Sequence, residues 1–243
     1  MLIRSVCAGL VLLAALNATG SGTEATAPSF TTEMSISAPD GRWDFASWDV
    51  AHGRLIVAHG ADVLVIDPAR GTVKAIGEIA GAHAALAIPG TNRILVSSGK
   101  DDTVRVLDAD SGSEIARIAV AGDPDATVLS ADGSTAYVMG AKAGAVSVVD
   151  LAALKETARI GLKPALEVPV IAGGLLAVND EDAGELELAD LATGKSAGSI
   201  AMPGCDGPTG MAYAPEAGLS LSACANGKAA LVDLAARKLV ALL

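Results

Sequence analysis

Apolar and polar residues alternate along short stretches of this chain, and each stretch ends in an aspartate. The clearest copy is Val104-Arg105-Val106-Leu107-Asp108, and four weaker copies end at Asp67, Asp150, Asp190 and Asp233. Strict alternation predicts a β-strand with one buried face. Successive aspartates are 41, 42, 40 and 43 residues apart. A nearly constant spacing of about 40–45 residues indicates an array of repeated supersecondary units.

The aspartates themselves are predicted to form turns rather than to catalyse a reaction. A short carboxylate can accept backbone N–H groups in the turn that follows it. Gly71, Gly112 and Gly194 stand four residues after their aspartates, where a left-handed backbone closes a hairpin. Leu154 and Arg237 take that place in the third and fifth copies. Those two turns are therefore predicted to close differently.

Further apolar runs surround each aspartate-terminated strand. A second strand precedes it, a third precedes that one after a Pro- or Gly-rich turn, and a fourth follows the aspartate. The predicted second strands cover residues 54–59, 93–98, 135–140, 175–179 and 219–225. Helical repeats of this length need apolar spacings of three and four, which the chain does not show. Four antiparallel strands per period predict an all-β fold, a β-propeller with five four-stranded antiparallel blades.

The predicted propeller domain covers residues 28–243, with blades at about 43–80, 81–121, 122–163, 164–203 and 204–243. Residues 30–38 alternate and predict an extra strand ahead of the first blade. The fifth blade has its own fourth strand at 238–243. Either the five blades close into a small ring, or they form the N-terminal part of a longer propeller, and we favour the second arrangement.

The N-terminus is typical of an export signal. Arg4 provides a positive start, and residues 6–16 form an apolar run that is too short to span a bilayer. Residues 1–27 are therefore predicted to be a signal peptide and linker, and the alternative is a buried N-terminal strand. The first interpretation predicts a periplasmic or extracellular protein with no membrane insertion after signal removal.

Composition narrows the range of partners. The formal net charge is −11 and aromatic residues make up 2% of the chain. Nucleic acids and anionic membranes favour clustered Lys and Arg, and bases stack on aromatic rings, so neither partner is expected. Cys205 and Cys224 fall at the same end of the fifth predicted sheet. An export compartment would allow them to form a disulfide, and the alternative is two free buried thiols.

Several blade motifs resemble those of the YVTN-repeat β-propellers, the YncE-like exported proteins. They are Gly122-Asp123-Pro124-Asp125, Ala131-Asp132-Gly133, Tyr137-Val138, Ala145-Val146-Ser147-Val148-Val149-Asp150, Ala192-Thr193-Gly194-Lys195 and the segment 207–213. The similarity covers about residues 40–243 and implies an exported propeller. Members of that family usually carry seven blades, whereas five are recognisable in this sequence, and no copy contains the complete Tyr-Val-x-Asn tetrapeptide.

In a propeller, the loops that enter each blade and those that join its second and third strands share one face. Ligand-binding residues are expected among the polar side chains of this loop face: Asp44, His59, His83, Asp123, Asp125, Asp206 and Asn226. His59 and His83 lie on neighbouring predicted blades, where two histidines can bind a metal ion together. We interpret them instead as ordinary loop histidines. Residues 179–182 with Glu185 are interpreted as a solvated acidic hairpin rather than a calcium site. No catalytic residue, metal or cofactor is predicted.

Two functions remain open at this point. The favoured one is a non-catalytic exported propeller that binds a partner protein or a small ligand through its loop face. The alternative is a metal-dependent hydrolase of the lactonase type, or a redox subunit associated with a dehydrogenase. This alternative rests on analogy of fold alone.

Overall fold

The computed structural model describes residues 31–243, which form twenty β-strands. We call the five sheets that they build sheets 1 to 5, in chain order. The strands are β1 Ala46–Asp49, β2 Arg54–His59, β3 Asp62–Asp67 and β4 Thr72–Ile76 in sheet 1; β5 Ala82–Ile88, β6 Arg93–Ser98, β7 Thr103–Asp108 and β8 Glu114–Ala119 in sheet 2; β9 Pro124–Leu129, β10 Thr135–Gly140, β11 Ala145–Asp150 and β12 Lys155–Gly161 in sheet 3; β13 Leu166–Ala172, β14 Leu175–Asp180, β15 Glu185–Asp190 and β16 Lys195–Ala201 in sheet 4; and β17 Pro208–Ala214, β18 Leu219–Cys224, β19 Ala229–Asp233 and β20 Lys238–Leu242 in sheet 5.

Each sheet is an antiparallel meander in which consecutive strands are neighbours. The first strands β1, β5, β9, β13 and β17 contact one another from sheet to sheet, so they lie innermost. The predicted all-β fold with five four-stranded antiparallel sheets is confirmed, and the arrangement is propeller-like. Residues 31–243 contain no helix that is long and apolar enough to cross a membrane.

The core lies between the sheets, because most sheets bury both faces. In sheet 2, for example, Ile94 and Leu107 face sheet 1, whereas Leu95 and Val106 face sheet 3, and all four are at most 2% exposed. Burial of one Leu, Ile or Val side chain contributes about 1.5–3 kcal/mol, so these interfaces supply much of the stability.

All five repeat aspartates accept backbone N–H groups from the turn that follows, as predicted. The prediction that the third and fifth turns close differently is wrong. Leu154 and Arg237 both have φ of 53°, in the same left-handed conformation as Gly112 and Gly194. The bonds to Asp150 and the pairing of the flanking strands determine this conformation. They outweigh a cost of about 1–2 kcal/mol for a left-handed non-glycine residue.

The prediction of a strand at residues 30–38 is also wrong. Residues 31–45 form no strand, and Phe30 and the predicted signal and linker, 1–27, lie outside the described residues. Instead, Ile36 and Ala38 pack on Val57, Leu64 and Ile66, the face of sheet 1 that is turned away from sheet 2. The segment therefore covers a sheet face through side chains rather than adding a strand to a sheet edge.

The contacts between innermost strands join each sheet only to the next. Among residues 31–243, the first and fifth sheets share no comparably extensive strand contact. Phe45, just before β1, packs into the hydrophobic cluster between sheets 3 and 4 and so fills the centre of the arc. Cys205 and Cys224 are joined by a disulfide in sheet 5, with their α-carbons 5.2 Å apart.

Candidate functional site

Four innermost strands contain a bulge at the same place. In β5, β9, β13 and β17, two residues near the start of the strand oppose one residue of the neighbouring strand. The first residue in each bulge is His83, Asp125, Glu167 or Thr209, and these positions are 42 residues apart. Bulges redirect side chains and are common beside functional sites. The repeat therefore places one polar residue in each of sheets 2 to 5 at equivalent positions near the centre.

Buried polar side chains hold two of these bulges in place. In sheet 2, the Ser97 hydroxyl accepts the backbone N–H of Ala84 at 2.8 Å. Between sheets 4 and 5, the fully buried Asn179 donates Nδ2–H to the carbonyl oxygens of Thr209 and Gly210 at 2.9 and 3.2 Å. Backbone groups that a bulge removes from the strand ladder thus find other partners, as buried polar groups require.

His83 lies between two carboxylates. Its Nδ1 is 3.1 Å from Asp44 Oδ2 and 3.8 Å from Asp125 Oδ1. The three side chains are 15%, 20% and 23% exposed, respectively. Asp44 is fixed in turn, because its Oδ1 accepts the Phe45 N–H at 3.0 Å and its own N–H bonds to Ala58. The sequence-predicted residues Asp44, His83 and Asp125 thus form one cluster.

Glu167 extends this cluster into sheet 4. Burial, followed by the negative charges of Asp125, Glu181 and Asp44, raises the pKa of Glu167 to about 7. Burial also raises the pKa of Asp125; His83 opposes this shift, whereas Asp44 adds to it. We call Asp44, His83, Asp125 and Glu167 the central cluster. Crowded carboxylates with raised pKa values can be stabilised by a proton or by a bound cationic group.

A cavity of about 620 Å³ opens beside the central cluster, between the loops of sheets 2 and 3. Its charged lining residues are Arg42, His83, Lys100, Asp102, Asp123 and Lys142. Asp123 has φ of 58°, and its N–H donates to Asp102 Oδ1 at 2.8 Å, which fixes the entry to β9. The cavity therefore presents both cationic side chains and two carboxylates, and His83 is the member of the central cluster that lines it.

A second cavity, of about 440 Å³, lies between the loops of sheets 1 and 2, and His59 is among its lining residues. His59 is 7% exposed, and its Nδ1 lies 2.9 Å from Asp62 Oδ1. Its Nε2 is buried without a hydrogen-bond partner among the described residues and lies against Gly41. Trp43 meets the ring edge-on at 5.3 Å. His59 and His83 therefore have different carboxylate partners, Asp62 for the first and Asp44 for the second.

Asp206 and Asn226 form a separate exposed pair in the loops of sheet 5. Asn226 Nδ2–H donates to Asp206 Oδ2 at 3.1 Å and to the Gly204 carbonyl at 3.0 Å. These bonds close the loop that carries Cys205 and do not connect to the central cluster.

The hairpin interpreted as solvated is partly buried. Asp180, Glu185 and Glu187 bring carboxylate oxygens within 4.8 Å of one another, and Asp180 and Glu187 are almost fully buried. Lys163 already supplies a cation there, because it pairs with Glu185 and lies 3.0 Å from Glu187 Oε1. The prediction of a solvated hairpin is therefore correct for Glu181 and Asp182, which are exposed, and wrong for Asn179 and Asp180, which are buried.

Glu167 is the site residue that sequence analysis missed. Its signal was present in the spacing, since Glu167 follows Asp125 by the same 42 residues that separate Asp125 from His83. Alignment of polar residues to the period would have identified the position.

Comparison with known proteins supports the fold. No protein-family model and no curated protein matches the sequence. Among 1351 matching chains of solved structures is Kuenenia stuttgartiensis Hydrazine Synthase, with a TM-score of 0.56 and 21% sequence identity. The match covers 68% of this chain and 52% of that chain, so this chain spans about half the length of that structure. At this identity the similarity shows the propeller-like fold alone.

Proposed function

We propose that this protein is an exported, non-catalytic β-propeller of the YVTN-repeat type that binds a small zwitterionic ligand through its loop face. The observation that carries the proposal is the convergence of His83 and three carboxylates beside a cavity whose lining combines Arg42, Lys100 and Lys142 with Asp102 and Asp123. A positive group of the ligand fits the central cluster, and a negative group fits Lys100, Lys142 and Arg42. Charge-assisted hydrogen bonds of this kind are about twice as strong as neutral ones.

Export and the repeat family are supported by the sequence. The Arg-led apolar N-terminal run favours secretion. A disulfide between Cys205 and Cys224 agrees with an oxidising compartment, where such bonds persist. The Asp-Gly turns and Val-rich third strands favour the YVTN-type repeat over other propeller repeats.

The binding proposal is tested with the full chain and a panel of probes. The panel contains free amino acids and glycine betaine as zwitterions, dicarboxylates as anions, and diamines as cations. Ligands that raise the thermal midpoint are then titrated by isothermal calorimetry. We expect a zwitterion to bind, and Asp125→Asn and Lys142→Ala each to weaken it about 10–100-fold, the effect of one lost charged hydrogen bond.

The matched control is Asp206→Asn, which changes a loop-face carboxylate outside the central cluster. This variant is expected to bind as the parent does. Binding of only anions or only diamines would contradict the zwitterion class. Equal affinity of parent and both site variants would show that the ligand binds elsewhere, and conversion of the ligand during titration would favour the enzymatic alternative.

A further inference from the structure

Residues 39–43 cross the loop face without belonging to any strand, and we call them the strap. Among the described residues, no backbone group of the strap pairs with another backbone group, and all five residues are exposed. The chain is fixed on both sides of the strap. Ile36 and Ala38 pack on the outer face of sheet 1, and the Asp44 N–H donates to the Ala58 carbonyl oxygen at 3.0 Å. Segments with so few hydrogen bonds open more easily than the strands around them.

The middle of the strap lies directly on His59. A Cβ at Gly41 would lie 2.2 Å from Nε2 and 2.5 Å from Cε1 of this imidazole, so only glycine fits while the strap keeps this position. Trp43 meets the same ring edge-on. Arg42 Cβ would lie 3.4 Å from a Cβ on Gly60, in the turn that follows β2. These contacts hold the strap closed over the His59 ring.

The closed strap leaves His59 with an unmet hydrogen bond. Nδ1 lies 2.9 Å from Asp62 Oδ1, so the neutral ring carries its proton on Nδ1 and leaves Nε2 as an acceptor. Nε2 is buried without a hydrogen-bond partner among the described residues. A buried polar atom in this state is unfavourable, and water would bond to it if the strap moved away. Packing at Gly41 therefore favours the closed position, whereas the unpartnered nitrogen favours an open one.

We propose that the strap alternates between the closed position and an open one that exposes His59 Nε2, and that this movement regulates ligand binding. Arg42 lines both loop-face cavities, so opening withdraws its positive charge from both. Asp44 remains bonded to Ala58 and so stays in the central cluster. The regulatory role rests on the proposed function, because the closed strap holds one of the cationic groups that the zwitterion needs. A bound zwitterion therefore favours the closed strap.

Movement of the strap is tested without a ligand, by modification of the full chain with diethyl pyrocarbonate. This reagent attacks an unprotonated imidazole nitrogen, and peptide mass spectrometry gives a separate rate for each histidine. We expect His59 to react in the native parent. His52 is the internal control, because its side chain is 40% exposed in the turn between β1 and β2.

A disulfide that locks the strap supplies the decisive comparison. In a Cys7→Ser background, Arg42→Cys with Gly60→Cys places two Cβ atoms 3.4 Å apart, close to the spacing in a disulfide. The matched control is Arg42→Ser with Gly60→Ser, which makes the same backbone changes without a cross-link. His59 should react at least about 10-fold more slowly in the locked protein than in this control, because opening is prevented. The rate at His52 should be the same in both.

Gly41→Ala provides the opposite test. Its Cβ does not fit against His59 in the closed position, so His59 should react at least about 10-fold faster than in the parent. The affinity for the zwitterion that binds the parent should fall to a similar degree. The matched control is Gly161→Ala, because nothing lies within 4 Å of a Cβ at that exposed position. Its labelling and affinity should equal those of the parent.

The possible results separate this inference from the proposed function. Equal rates at His59 in the locked protein and its serine control, or an unreactive His59 in the parent, would overturn the moving strap. Fast labelling of Gly41→Ala together with parental affinity would overturn its regulatory role. A parent that binds no zwitterion would refute the proposed function and the regulatory role with it, whereas the His59 rates would still decide whether the strap moves.

Discussion

Glu167 shows how strongly a single residue can depend on its neighbours in this fold. Burial and the charges of Asp125, Glu181 and Asp44 raise its pKa from 4.5 to about 7. The folded protein therefore binds this proton more tightly than the unfolded chain does. The resulting stabilisation is fully present below pH 4.5, and it is lost as pH rises through about 7.

Replacement Glu167→Gln should remove this pH dependence. Gln resembles the protonated acid. The free energy of unfolding of the variant should therefore equal that of the parent near pH 4.5 and be larger than that of the parent at pH 8. After allowance for solvent screening, the difference should be about 1–2 kcal/mol. Urea unfolding at pH 4.5, 6 and 8 measures it. The control Glu216→Gln changes a side chain in an exposed turn, and its stability should equal that of the parent at every pH. If the stability of Glu167→Gln depended on pH in the same way as that of the parent, Glu167 would not be the source of the pH dependence.

Sequence predicts residues whose role is local and misses those whose role depends on several strands. Asp108 could be identified as a turn former because its partners, the N–H groups of Asp110 and Ser111, are two and three residues away. Glu167 acquires its properties from charges in sheet 3 and in the segment before β1, as well as from its own sheet. The prediction for the turn at Leu154 was wrong for the same reason, because strand pairing overrides the preference of this residue for negative φ.

At the scale of elements, the predicted second strands agree with β2, β6 and β10 at both ends. A short, nearly continuous apolar run bounded by turn residues is typical of a strand that is buried on both sides. The bulges in the innermost strands were not predictable, because one extra residue hardly alters a seven-residue pattern. Yet these bulges position the central cluster, so the element boundaries were easier to predict than the site.

Two equivalent glycines test how closely these elements pack. Gly112 and Gly71 hold the same turn position, with φ of 77° and 64°. A Cβ on Gly112 would lie 2.8 Å from Ile76 Cβ and 2.9 Å from the Gly77 nitrogen, whereas none lies within 4 Å at Gly71. Gly71→Ala should cost about 1 kcal/mol from backbone strain alone. Gly112→Ala should cost about 2–4 kcal/mol, because overpacking between sheets 1 and 2 adds to that strain.

Chemical denaturation of both variants measures the difference directly. A similar loss at the two glycines would mean that the turn of sheet 2 can move away from sheet 1 without penalty. The packing of the aspartate turn on β4 would then contribute little to the interface.

At the scale of the whole molecule, sheets 1 and 5 form the two ends of the array, and they differ in whether their outer face is covered. The sequence alone did not predict this difference. Sheet 1 has its outer face covered by Ile36 and Ala38, whereas the outer face of sheet 5 exposes Leu221. The alternation in residues 30–38 predicted a strand, because a pattern of apolar side chains does not distinguish a paired strand from an extended segment that packs on a face. In an array where each unit contacts only its neighbours, such end caps decide how far the terminal units stay folded.

Replacement of Ile36 by Asp should therefore loosen sheet 1 selectively. The substitution removes a partly buried apolar side chain and places a carboxylate against Leu64 and Ile66. We expect a loss of about 1–2 kcal/mol. In hydrogen exchange, amides of β2 and β3 should exchange faster, whereas those of β14 and β15 should not change, because three interfaces separate them from the end. The control Val50→Asp changes a side chain that is 83% exposed in a turn and should leave both sets unchanged. Uniform acceleration across all five sheets would instead mean that the array opens as one cooperative unit, and that the segment around Ile36 stabilises the whole molecule rather than its first sheet.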